Sequence, residues 1–155
     1  KKALDEGYGG VASFYNALAR SEAIQLDRYR TLIRQLGGFP AAKVQILMAV
    51  RHTRENLLDA TQHEAYQRRE IYTDYLERAK DEHAGDAVRL FTEILELQAR
   101  HEELCRKALN HLNEWKGLKK DFYLCPVCGL VVETAAYLPK CPVCGTAAGR
   151  FRKVG

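Results

Sequence analysis

Apolar residues recur at spacings of three and four along most of the first 115 positions. The first run places Val11, Phe14, Tyr15, Leu18, Leu26, Tyr29, Leu32, Ile33 and Leu36 on one stripe, which predicts an amphipathic helix. Gly37-Gly38 and then Phe39-Pro40 should end it. A second stripe runs from Thr53 to Glu82 through Leu57, Ala60, Thr61, Ile71, Tyr72, Tyr75, Leu76 and Ala79, with Thr53 as the expected N-cap. A third runs from Asp86 to Trp115 through Leu90, Phe91, Ile94, Leu97, Leu104, Cys105, Ala108 and Leu112. Gly85-Asp86 separates the last two helices, so they should pack as antiparallel neighbours. Residues 41–52 are apolar and read either as a short helix or as an ordered crossover. Three long helices are one short of a closed bundle. Lys1–Leu4 reads as the tail of an earlier helix. The fourth helix is therefore expected from a partner chain or from a segment upstream of this sequence.

Polar residues interrupt these stripes in a regular way. Glu22 and Gln25 fall in the first, Glu64 and Gln67 in the second, Gln98 and His101 in the third. Each pair is spaced i, i+3, so both side chains share one helix face. A carboxylate left alone in a bundle core costs several kcal/mol, so something must compensate. A metal ion and a hydrogen-bonded polar layer both could. A narrower apolar stripe would instead leave Glu22 and Glu64 in solvent. Carboxylate and imidazole groups projected inward from a bundle suit iron or manganese. Cys105 reads as a small core residue, and His52, His63, His83 and His111 fall at loop or solvent positions with no assigned role.

The chain changes character near Trp115–Lys120. Proline occurs once before that point, at Pro40, and three times after it, at Pro126, Pro139 and Pro142. Four cysteines follow as Cys125-x-x-Cys128 and, twelve residues on, Cys141-x-x-Cys144. Each C-x-x-C-G stretch should form a tight knuckle, and two knuckles complete a tetrahedron of sulfurs that suits either zinc or iron. A module of this size cannot fold on burial alone, so metal binding should be coupled to its folding. The organisation expected is a helical domain over 1–115, a linker over 116–121, and a four-cysteine metal domain over 122–155.

Composition adds limits. Apolar residues make up 46% of the 155 positions, enough for a packed core. The net charge is +4 with the two signs interspersed, which argues against a nucleic-acid surface. No apolar run approaches 18 residues, and the opening residues lack a signal peptide's apolar segment. Five cysteines, four of them in metal-type spacing, point to a reducing, cytoplasmic setting.

Taken together, the chain resembles the rubrerythrin family, in which a ferritin-like four-helix domain with a di-iron site precedes a rubredoxin-like Fe(Cys)4 domain. Residues 11–38, ending in Leu36-Gly37-Gly38, resemble the family's second helix. Residues 53–64, Thr-Arg-Glu-Asn-Leu-Leu-Asp-Ala-Thr-Gln-His-Glu, resemble the opening of its third, and residues 87–109 its fourth. The tail 122–151, with Phe122, Tyr123 and Phe151 around the cysteines, resembles its rubredoxin module. The family's first helix would lie upstream of Lys1. The fold implied is mostly α: a ferritin-like domain contributing three long helices here, then a small rubredoxin-like β/loop domain.

The resemblance implies a ligand set, and the chain departs from it. Glu22, Glu64 and His101 carry over as helical-site ligands and as the peroxide site, while Gln25, Gln67 and Gln98 stand at ligand positions without ligand chemistry. That pattern predicts a one-metal or metal-poor helical site rather than a complete di-iron centre. By resemblance, Cys125, Cys128, Cys141 and Cys144 hold the iron through which electrons enter, zinc being the rival. The function implied is reduction of hydrogen peroxide with electrons from a donor protein, in a homodimer where one subunit's rubredoxin module lies near the other's helical site. Two alternatives stay open: an electron-transfer or metal-binding relative with a lapsed helical site, and a zinc-ribbon interaction protein.

Overall fold

The computed structural model describes residues 1–41, 49–117, 119–135 and 138–155. Most of residues 41–52, read above as a short helix or a crossover, lie outside the described residues. A single turn, α1 (Lys2–Asp5), leads into the long helix α2 (Gly9–Gln35). Helix α3 (Thr53–Tyr66) continues through a π-helical segment, Gln67–Ile71, into α4 (Tyr72–Asp81). Helix α5 (Gly85–Asn110) returns antiparallel to them and ends in a 3-10 turn, Leu112–Trp115. Among the described residues, no helix is long and apolar enough to cross a membrane.

The helix ends follow local chemistry. Gly37 takes φ +79° after α2, and Gly37 and Gly38 N–H groups donate back to Arg34 and Ile33 at 3.0 and 2.8 Å. That is the paired C-terminal closure only a left-handed residue permits. At the start of α3 the cap is His52 rather than the expected Thr53, with Glu55 closing a reciprocal capping box. Thr53 is the first helical residue, and its N–H and hydroxyl donate to Glu6 at 2.8 and 2.6 Å. The carboxylate of Glu6 meets the orphan donors from outside the helix, and those bonds hold it well below the usual carboxylate range.

The second predicted helix spans nearly its expected range, but with a π-helical insertion in the middle. Such insertions re-aim side chains within an otherwise regular helix. Here the insertion begins at Gln67, and Arg68 within it reaches α5 to pair with Glu102 at 3.0 Å.

Among the described residues, two apolar clusters fill the bundle, and a third gathers Leu97 of α5 with the module cysteines. One gathers Leu32, Tyr72, Ala79, Ala87, Leu90 and Ile94 at the far end. The other gathers Val11, Phe14, Leu18, Leu57, Cys105 and Leu112, and continues into the C-terminal module through Trp115, Phe122, Leu124, Val131 and Val154. Cys105 is a buried core residue, as its apolar stripe implied. The module itself is a three-stranded antiparallel sheet of β1 (Phe122–Leu124), β2 (Val131–Val132) and β3 (Arg152–Val154), with β1 in the middle. Tyr123 pairs with Val132 on one side and Lys153 on the other.

Trp115 joins the two parts. Its ring meets Phe14 edge-on at 5.9 Å and Phe122 at 5.9 Å, and Lys120 Nζ sits 4.1 Å from its centroid. Trp115→Ala should lower unfolding free energy by about 3–5 kcal/mol, with helical and module signals lost together in a denaturant titration.

Candidate metal centres

The four module cysteines converge as their spacing requires. Their sulfurs all lie within 4.8 Å of one another. Cys125 Sγ is 3.6 Å from Cys144 Sγ, and Cys128 Sγ is 3.6 Å from Cys141 Sγ. A tetrahedral ion with metal–sulfur bonds of about 2.3 Å needs sulfurs about 3.8 Å apart, so the cage fits one zinc or iron ion. The two knuckles repeat one pattern. Gly129 N–H donates to Cys125 O at 3.0 Å and Gly145 N–H to Cys141 O at 2.9 Å, with φ +90° and +74° at the two glycines. A bond from Cys128, helped by the Cys128 and Val127 backbone N–H groups, holds the Cys125 thiol down to about 4. The same sulfur contact and burial push Cys128 up, and burial pushes Cys141 up to about 11. A bound ion would displace the protons held by Cys128 and Cys141.

The second cluster lies in the bundle, between the two apolar clusters. Glu22 on α2, Glu64 on α3 and His101 on α5 bring ligand atoms within 4.8 Å of one another. Glu64 and His101 are buried. Glu22 is exposed along much of its length, while its carboxyl turns inward and is raised in pKa by burial, against the bond from Gln25. Gln25 and Gln98 are fully buried beside them, and Gln67 is half-buried.

The amides are oriented by their donor ends. Gln25 Nε2 donates to Ser21 Oγ at 3.3 Å and Glu22 Oε1 at 3.2 Å, and Gln98 Nε2 donates to Gln67 Oε1 at 3.3 Å. Their acceptor ends are left over. Gln25 Oε1, Gln98 Oε1, Glu64 Oε2 and both His101 ring nitrogens are buried without a hydrogen-bond partner. Buried polar atoms are nearly always paired, so this knot of unpaired groups, three amide or carboxyl oxygens and one imidazole with a single free lone pair, is the arrangement expected of a cation site.

The electrostatics agree. Burial, then the charges of Glu22 and Glu102, push Glu64 up to about 8. Burial drives His101 down to about 4, with the nearby Gly129 backbone pulling the other way. A dication would relieve both. Glu102, also buried, is no candidate ligand: Arg68 at 3.0 Å and Arg106 already neutralise it.

Several neighbours escaped the reading of the sequence. Ser21 is fully buried and supplies the acceptor for Gln25, one turn earlier on the same face. Tyr72 stacks on Tyr29 at 6.2 Å beside the cluster. Nothing in periodicity separates such residues from ordinary core.

Gly129 also marks a contact between the two centres. A Cβ added there would lie 2.8 Å from Ser21 Oγ and 3.1 Å from Ser21 O. Gly129→Ala should therefore combine a left-handed strain with a clash and cost about 1–3 kcal/mol, measurable by chemical denaturation of the metal-loaded protein.

The family model for rubrerythrin matches residues 1–109. Rubrerythrin-2 of Clostridium acetobutylicum is 24% identical over 153 residues, covering 98% of this chain and 83% of the relative. Nigerythrin of Nitratidesulfovibrio vulgaris is 27% identical over 145 residues, covering 93% and 70%. Among solved structures, mixed-valence nigerythrin superposes with a TM-score of 0.86 at 24% identity, over 98% of this chain and 74% of that one. Fully reduced nigerythrin gives 0.85 at 25% identity, over 97% and 73%. The helical match, the ferritin-like superposition and the C-terminal cage of four cysteines agree, and the chain belongs to the rubrerythrin family of non-haem iron proteins.

Proposed function

We propose that this chain reduces hydrogen peroxide to water, drawing electrons through an iron held by Cys125, Cys128, Cys141 and Cys144 and using a helical site of Glu22, Glu64 and His101. The observation that carries the reading is the occurrence in one fold of both cages, a tetrahedron of four sulfurs and a buried carboxylate–imidazole cluster with unpartnered lone pairs.

The helical site is read as a one-metal site. Glu22 and Glu64 supply two negative charges, which balance one dication in a buried setting, and His101 adds a neutral nitrogen. Gln25 and Gln98 add no charge. Iron, when bound, supplies one-electron redox chemistry at each centre. A chain with two one-electron centres stores two electrons, the number that reduces one hydrogen peroxide with two protons to two waters. His101 is fully buried and Glu64 nearly so, and Arg68 and Arg106 neutralise Glu102, the third carboxylate nearby.

The test is a titration of the fully reduced, metal-loaded protein with hydrogen peroxide under anaerobic conditions. The Fe(Cys)4 absorption should return completely at about one equivalent per chain, with rapid single-turnover kinetics. No return of that absorption would remove the peroxidase reading. The glutamines at 25, 67 and 98 favour a second reading, an electron carrier with a lapsed helical site, and that result would support it.

A further inference from the structure

Glu22, Glu64 and His101 leave room in the coordination shell of the helical site. Two carboxylates and an imidazole are three protein donors, and three donors with one water are what a four-coordinate zinc ion accepts. Ferrous and manganous ions favour larger shells, and manganese favours shells rich in oxygen. Gln25 and Gln98 stand beside the three with oxygens to give. Gln25 follows Glu22 by three residues on α2, and Gln98 precedes His101 by three on α5, so each shares a helix face with a ligand. Neither amide residue is more than 1% exposed. The end of the Gln25 amide that meets Glu22 at 3.2 Å is the nitrogen, because an ionised carboxylate only accepts. Its oxygen is the end left over. So is that of Gln98, whose nitrogen donates to Gln67. A polar layer built for its own sake would pair these oxygens, since a buried acceptor left alone is destabilising. Gln98 also lies with the carboxylates. Burial raises the pKa of the Tyr72 hydroxyl, and Glu22, Glu64 and Gln98 all act on it, which gathers the α5 amide and both acids about one side chain.

We propose that the side-chain oxygens of Gln25 and Gln98 are ligands of the helical metal, completing with Glu22, Glu64 and His101 a set of four oxygens and one nitrogen. This rests on the one-metal reading above and deepens it. By residue type alone the two positions lack ligand chemistry, but an amide oxygen serves a dication where carboxylates already supply the charge. Two neutral ligands raise the coordination number and leave one dication balanced by Glu22 and Glu64. The consequence is selectivity. The enlarged set suits a ferrous or manganous ion, whereas zinc is satisfied by four ligands.

The probe is Mn2+. With the four-cysteine cage filled by zinc, the intact protein is titrated with Mn2+, and the free ion is followed by its paramagnetic resonance signal. The unaltered protein should bind about one Mn2+ per chain. Gln98→Met nearly keeps the side-chain volume and removes the oxygen. Its Mn2+ affinity should fall about tenfold or more. Its Zn2+ affinity at the same site, read by displacement of Mn2+, should fall by no more than about threefold. Gln98→Glu keeps an oxygen and adds a charge, so it should bind Mn2+ more tightly than the unaltered protein. The metal-free Gln98→Met protein should be no less stable to denaturant, because one buried unpaired oxygen is gone. Unchanged Mn2+ affinity in Gln98→Met, or equal losses for Mn2+ and Zn2+, would overturn the proposal. So would a loss of metal-free stability with Gln98→Glu no tighter than the unaltered protein, which would make Gln98 a packing residue. Failure of the one-metal reading would look different, because the unaltered protein would then bind no Mn2+ at all, and the proposal would fall with it.

Discussion

Replacing Cys128 by serine is expected to empty the four-cysteine centre and unfold the C-terminal module. Three thiolates and a hydroxyl cannot complete a soft tetrahedral cage, and structural metal binding of this type is worth about 10–16 kcal/mol near neutral pH. The module has little to replace that. Its sheet has strands of two or three residues. Phe122, Leu124, Val131 and Val154 of the module are buried in a cluster shared with the helices. Loss of the cage should therefore spread inward. Metal content should fall by one ion per chain, and the fluorescence of Trp115 should shift to that of a water-exposed indole. Retention of a buried Trp115 with the metal gone would show that the shared core holds the module without its ion.

Glu64→Gln should have opposite effects on metal affinity and on metal-free stability. The helical site would lose one of its two charges, and affinity there should drop by more than about a hundredfold, beyond the cost of losing an outer-sphere partner. The metal-free protein should become more stable. Glu64 is raised from 4.5 to about 8 by burial and by the neighbouring carboxylates, so the folded state holds its proton more tightly than the unfolded state. The stability tied to that proton is fully present below about pH 4.5 and is lost as pH rises through 8. Glutamine has no proton to lose. The variant's advantage should therefore grow between pH 5 and pH 8, reaching a few kcal/mol at most, on the order of 1.4 kcal/mol per pH unit. Denaturant midpoints of the chelator-treated proteins at several pH values would measure it. An advantage that shrank with rising pH would contradict the assignment of Glu64 as the strained acid.

Much of this arrangement was legible in the sequence, for identifiable reasons. The 3-4 periodicity located α2, α5 and the α3–α4 run because each buries one face. The C-x-x-C-G repeats located the cage because knuckle geometry leaves little freedom between ligands. Glu22, Glu64 and His101 stood out because they belong to i, i+3 polar pairs that interrupt apolar stripes, and the fold brings their ligand atoms together. Three things were not legible. The π-helical segment at Gln67–Ile71 is made of ordinary helix-forming residues, and no periodicity in the sequence marks it. The N-cap fell to His52 instead of Thr53 because Glu6, some 47 positions away, occupies the donors of Thr53. The seam at Gly129 and Ser21 joins residues more than a hundred positions apart, and only the folded core around Trp115 brings them together.

The proposed peroxide chemistry requires one chain to carry two iron sites, one of four sulfurs and one of two carboxylates and an imidazole. Elemental analysis of the purified, iron-reconstituted protein, paired with its visible spectrum and repeated on Glu64→Gln, tests this most directly. The expected result is about two irons per chain with an Fe(Cys)4 spectrum, falling to about one with that spectrum unchanged in the variant. A colourless protein holding one zinc, or an iron content that Glu64→Gln leaves untouched, would contradict it.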